Sequence, residues 1–101
     1  MKVLIGSFAV MLAAYSQANA DPCYIEYTRR DCGVGTFGDS AYQKNNSRDH
    51  TYKITSTMTK NGSFFRNDIN TVSAGDRAYV GCTRGEGTDY YSFAIVGCEQ
   101  Q

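Results

Sequence analysis

Residues 21–101 of this chain contain no leucine. That absence limits the fold more than any motif does, because leucine, alanine and methionine are the residues that build helix faces. The same 81 residues hold one methionine, Met58, and four alanines, against nine Thr, seven Tyr, four Phe, four Val and four Ile. β-Branched and aromatic side chains lose rotamer freedom in a helix and pack well on a pleated surface. A helix bundle and a coiled coil are excluded, and a single all-β domain is expected.

The first twenty residues have a different character. Lys2 is followed by the apolar run of residues 3–15, interrupted only by Gly6 and Ser7. Ala18-Asn19-Ala20 then presents a small-x-small cleavage pattern before Asp21 and Pro22. This is the layout of a secretory signal peptide, with cleavage expected after Ala20. An apolar run of about 13 residues falls short of the roughly 20 that cross a bilayer, so no membrane span is expected. Nor does Cys23 read as a lipid anchor, because Asn19 and Asp21 are wrong for a lipidation box. The expected mature chain, residues 21–101, carries nine basic and ten acidic groups. A near-neutral domain gains little from counterion release, so a nucleic-acid partner is not expected.

Strands are legible as alternation bounded by turn residues. Residues 23–28 alternate and are rich in Tyr and Ile, and residues 50–59 alternate most clearly. In the latter, Tyr52, Ile54, Ser56 and Met58 share one face, and Lys53, Thr55, Thr57 and Thr59 the other. Asn61-Gly62 signals a tight hairpin, with residues 63–66 as its return strand. Residues 68–72 form a further short strand, and the turn at Ser73-Ala74-Gly75-Asp76 ends it. Residues 77–83 and 90–99 read as a last hairpin around a polar, flexible loop. Residues 32–39 and 43–49 read as loop, with a short strand or turn around Ser40 to Tyr42. Five to seven strands at this spacing predict a small antiparallel β-sandwich, with a small β-barrel as the alternative.

The stretch Thr71-Val72-Ser73-Ala74-Gly75-Asp76-Arg77-Ala78-Tyr79-Val80-Gly81-Cys82 resembles the edge-turn-strand passage of immunoglobulin-like modules. Over about a dozen residues this implies the same sandwich architecture. Tyr90 to Gly97 is similar to part of a crystallin-type Greek key, but Ile95 stands where that family carries an aromatic and no second copy follows.

Cys23, Cys32, Cys82 and Cys98 predict two disulfides in an exported domain of this size. Spacings of 9, 50 and 16 residues, with His50 remote from all four, do not suit zinc, and no metal or cofactor is expected. If residues 77–82 and 91–98 are neighbouring strands, Cys82 sits beside their loop and Cys98 about 23 Å away, at ~3.3 Å per residue. A disulfide needs Cα atoms within about 7 Å, so Cys82–Cys98 is disfavoured. An N-terminal strand antiparallel to the last one carries Cys23 to Cys98 and Cys32 to Cys82. That nested pairing is preferred; Cys23–Cys32 with Cys82–Cys98 is the alternative.

Catalytic groupings are thin. Asp39, Ser40, Asp49 and His50 supply the residue types of a serine triad, but in or beside a loop and without evident scaffold for an oxyanion hole. Glu26, Glu86, Asp89 and Glu99 are too dispersed to read as the carboxylate pair of a glycosidase. Arg29-Arg30-Asp31 reads as a solvated strand end, and Asn45-Asn46-Ser47 and Asn61-Gly62-Ser63 as glycosylation sequons. An enzyme is therefore not expected. The feature above background is tyrosine. Tyr91, Phe93 and Ile95 alternate with Ser92, Ala94 and Val96, Tyr79 lies on the preceding strand, and Tyr24 and Tyr27 lie on the first. A one-faced core cannot bury all of these rings, and exposed ones suit protein interfaces and sugar faces alike. The expectation is a secreted or periplasmic binding module for a protein or carbohydrate. Its candidate residues are Tyr24, Tyr79, Tyr91 and Phe93 on a sheet face, with Arg84 and Glu86 in the loop of residues 83–90. The alternative is an exported inhibitor, effector or toxin that uses that loop.

Overall fold

The computed structural model describes residues 22–29, 32 and 37–101. The expected leader (residues 1–20), Arg30, Asp31 and residues 33–36 lie outside them. The regular elements are six strands: β1 (Cys23–Thr28), β2 (Ser40–Asn45), β3 (Tyr52–Lys60), β4 (Ser63–Val72), β5 (Arg77–Cys82) and β6 (Tyr91–Gln100). They form two antiparallel three-stranded sheets, ordered β1-β2-β5 and β4-β3-β6. Among the described residues no helix is long and apolar enough to cross a membrane.

Strand β3 follows its alternation: Ile54, Ser56 and Met58 are buried, while Lys53 is exposed and Thr55, Thr57 and Thr59 are part-exposed. Lys60 pairs with Ser63, so Asn61 and Gly62 alone make the turn. Both have positive φ, 51° and 89°, as a two-residue turn matched to the strand twist requires. The return strand is longer than expected. Residues 63–66 and 68–72 are one strand, because Asn67 keeps the ladder by pairing with Thr57 and the irregularity falls instead at Phe65.

Two other expectations are corrected. Residues 43–45, expected as loop, complete β2, with Gln43 opposite Ile25 and Asn45 opposite Cys23. Their polar side chains hide an inward-facing pattern. Gln43 and Asn45 are fully buried, and both amides are hydrogen-bonded. The final hairpin is also absent: β5 pairs with β2 and β6 with β3, in different sheets. Only the base of the loop is hairpin-like, with Tyr91 N–H donating to Thr83 O and a bridge from Arg84 to Tyr90. Beyond it the strands part into the two sheets, and Val80 of β5 and Phe93 of β6 are buried in one cluster between them. A Cβ on Gly81 would lie 3.1 Å from the Phe93 ring.

The disulfides are Cys23–Cys98 and Cys32–Cys82, with Cα atoms 6.0 and 5.9 Å apart. The nested pairing thus holds although the hairpin behind it does not. β1 and β5 both run antiparallel to β2, so the ends of β1 and β5 lie at the same end of their sheet.

Between the sheets lie two apolar clusters. Ala41, Met58, Val80 and Phe93 form one, and Cys23, Ile54 and Val72 the other. Ser56 falls between Ile54 and Met58 along β3, and its hydroxyl accepts from Gln43 Nε2 at 2.8 Å. Gln43 also donates to Asp68 O and accepts from Asn70 Nδ2, so this polar bridge across the core is satisfied by strands of both sheets. The corners are laced as well. Arg66 Nη2 reaches Val80 O at 2.9 Å, tying β4 to β5. On the β1 side the Tyr27 ring meets Phe93 edge-on, with centroids 6.5 Å apart.

Burial holds the Tyr27 phenol above its ordinary range; the Asp39 carboxylate adds to this and a hydrogen bond to the Phe93 backbone opposes it. The unfolded chain therefore releases this proton first, at about pH 10. The stabilisation is complete below that value and is lost as pH climbs through the higher folded one. Denaturation midpoints measured from pH 9 to 11 are expected to fall less steeply in Tyr27→Phe than in the parent.

Candidate functional site

The outer face of the β1-β2-β5 sheet carries six aromatic and charged side chains that the core does not use. Its register aligns Tyr24, Lys44 and Arg77 in one row across the three strands, and Glu26, Tyr42 and Tyr79 in the next. The alternation that turns Ile25, Gln43 and Ala78 inward turns these six outward. Tyr24 and Tyr79 are 42% and 56% exposed.

The middle of this face is held in place by its own contacts. The Arg77 guanidinium lies 4.0 Å over the centroid of Tyr42, and its Nη1 donates to Glu26 Oε1 at 3.1 Å. Arg77 thus spans from β5 across β2 to β1, using the Tyr42 ring as a pedestal. Tyr79 meets Tyr42 edge-on, with centroids 5.5 Å apart. Lys44 Nζ donates to Gly75 O at 2.7 Å. A planar guanidinium fixed by both a carboxylate and a ring loses little freedom when it meets a ligand. The third row, Thr28, Ser40 and Cys82, is not part of the open surface: Ser40 is buried and Cys82 is joined to Cys32.

The sequence-derived candidates separate into three places. Tyr24 and Tyr79 share the face just described. Phe93 does not share it: it is 9% exposed and lies in the core. Tyr91, Arg84 and Glu86 lie at the opposite flank, at the loop of residues 83–90. Tyr91 is half-buried against the core and meets Phe65 edge-on at 5.7 Å. Arg84 and Glu86 are exposed. That loop is tied down rather than free. Asn61 Nδ2 donates to Asp89 Oδ1, Asn61 Oδ1 accepts from Tyr90 N, and Lys60 lies 3.7 Å from Asp89. The β3–β4 turn therefore clamps it.

Sequence reasoning missed Tyr42, Lys44, Arg77 and Glu26 as members of the face. The signal was present as alternation, Tyr42-x-Lys44 and Arg77-x-Tyr79, but it was masked where residues 43–45 read as loop.

The catalytic alternatives do not assemble. Ser40 opens β2 and His50 follows its far end, so a strand of about 17 Å, at ~3.3 Å per residue, lies between them. His50 instead faces Asp49 at 3.5 Å and Gln100 at 3.3 Å. Glu26, Glu99 and Asp89 each face a different cation, Arg77, Lys53 and Lys60 respectively. Among the described residues no three His, Cys, Asp or Glu side chains are grouped to hold a metal ion. Compared with protein families, with curated proteins and with solved structures, the chain matches none.

Proposed function

We propose that this protein is a non-catalytic binding module that engages a protein or carbohydrate through the outer face of the β1-β2-β5 sheet. The observation that carries the reading is the exposure of Tyr24 and Tyr79 on either side of a guanidinium already stacked on Tyr42. Tyrosine offers a large contact area with few rotors and a polar tip, and arginine joins it among the residues that dominate interfaces. The two disulfides suit an oxidising compartment, and the leader expected at residues 1–20 directs the chain there. Secretion or a periplasmic location completes the proposal.

A second reading, an exported inhibitor or effector, draws on the loop of residues 83–90. Clamping by Asn61 removes the flexibility that would otherwise weaken a projecting loop. The two readings part in an affinity capture from secreted and envelope fractions. With Tyr24→Ala/Tyr79→Ala the captured partner is expected to be lost, and with Arg84→Ala/Glu86→Ala it is expected to be retained. The reverse pattern would place function in the loop.

A further inference from the structure

We infer that the outer face of the β1-β2-β5 sheet takes a neutral, equatorially linked pyranose chain; the inference rests on the sheet-face reading above and narrows its partner to one class. Size is the first argument. The open face is two rows deep and three strands wide, six side chains in all. A protein–protein interface of standard size uses roughly 20–30 residues a side. Six side chains cover a few sugar rings.

Charge is the second argument. Lys44 and Arg77 are balanced by Glu26 on the face and by exposed Asp76 at its margin. An anionic glycan would meet repulsion from these carboxylates as well as attraction, whereas a neutral chain meets neither.

Shape is the third. Tyr24 and Tyr79 stand two strands and one row apart, a diagonal of about 12 Å from strand spacings of ~4.8 Å and rises of ~3.3 Å, which is roughly two pyranose units of an extended chain. A pyranose with equatorial substituents carries C–H groups on both faces of its ring, so it lies flat on an aromatic ring. An axially linked chain curves and cannot bring alternate rings down on both tyrosines. Between them, the Arg77–Glu26 pair offers N–H donors and a carboxylate acceptor to the hydroxyls along the chain edge.

The test is an NMR titration of the oxidised, isotope-labelled protein of residues 21–101 with cellohexaose, chitohexaose and maltohexaose. At least one of the two equatorially linked hexasaccharides is expected to shift the signals of Tyr24, Arg77 and Tyr79. Maltohexaose is expected to bind at least about tenfold more weakly, a loss of about 1.4 kcal/mol. Tyr24→Ala/Tyr79→Ala is expected to weaken binding by a similar factor, whereas Tyr24→Phe/Tyr79→Phe, which keeps both rings, retains it. Raising the salt concentration is expected to leave the affinity unchanged, as a neutral ligand requires. Absence of shifts from both equatorial chains, equal binding of maltohexaose, or affinity indifferent to the tyrosines would overturn the inference. Capture of a protein that depends on Tyr24 and Tyr79, without any glycan response, would overturn the inference alone. Loss of both responses would overturn the sheet-face reading as well.

Discussion

Replacing both partners of one disulfide, Cys23→Ala with Cys98→Ala, is expected to lower stability by about 4 kcal/mol, the loop-entropy value for a ring of this length. At this chain size that corresponds to a fall in Tm of roughly 15–30 °C. The bond joins residues 75 apart in sequence, so its loss releases nearly the whole domain in the unfolded state. It also ties β1 to β6, strands of different sheets that share no ladder. Cys23 is buried against Ile54 and Val72, with Cys98 packed on the same cluster, so the substitution removes core volume too. Cys32–Cys82 closes a ring of 50 residues, and the chain-entropy value for it is nearly the same, about 4 kcal/mol. Urea denaturation of the two paired variants measures both. The Cys23–Cys98 variant is expected to be the weaker because of the packing it gives up.

The second large effect is expected at Asn45, a residue that composition marks as surface polar. Asn45 is fully buried. Its Nδ2 donates to His50 O and Val72 O, both at 2.8 Å, and its Oδ1 accepts from Ser47 N at 2.9 Å. It therefore binds β2 to the end of β4 and shapes the turn that leads into β3. Asn45→Ala leaves three backbone groups without these partners. A stranded buried group costs about 1–3 kcal/mol, and water reaches those nearer the surface, so a total of about 3–5 kcal/mol is expected. Asn45→Asp keeps the acceptor but turns a carboxylate toward two carbonyl oxygens, so it is expected to rescue little. Denaturation of both variants, with amide exchange at Ser47, reads the effect. The contrast is Tyr24→Ala/Tyr79→Ala, whose solvent-facing rings are expected to change stability by less than about 1 kcal/mol.

Asn45 also shows where the sequence is legible and where it is not. Strand β3 could be read because its inner face is mostly apolar and its outer face is threonine. The Asn61-Gly62 turn could be read because both positions need positive φ. β2 could be read only to Tyr42, since buried amides look like loop residues until their partners are known. The missing last hairpin has a similar origin. Short turns favour adjacent pairing, but the core that buries Val80 and Phe93 together is built from both sheets, and β5 and β6 fall in different ones. The disulfide pairing survived this because strand direction, not strand adjacency, decides which ends meet. As for the site, exposed tyrosines followed from the surplus of rings over core. Which rings they were depended on register, and that placed Phe93 inside and brought Tyr42 and Arg77 to the surface.

The central claim, that the outer face of the β1-β2-β5 sheet is the binding surface, is tested most directly by hydroxyl-radical footprinting with the bound partner in place, whether glycan or protein. Tyrosine and phenylalanine rings report their own coverage, and the two flanks carry different ones. Protection at Tyr24 and Tyr79, with Phe64 and Tyr90 unchanged, is the predicted result. Protection at Phe64 and Tyr90, with Tyr24 and Tyr79 as reactive as in the free protein, would contradict the claim and move the site to the clamped loop.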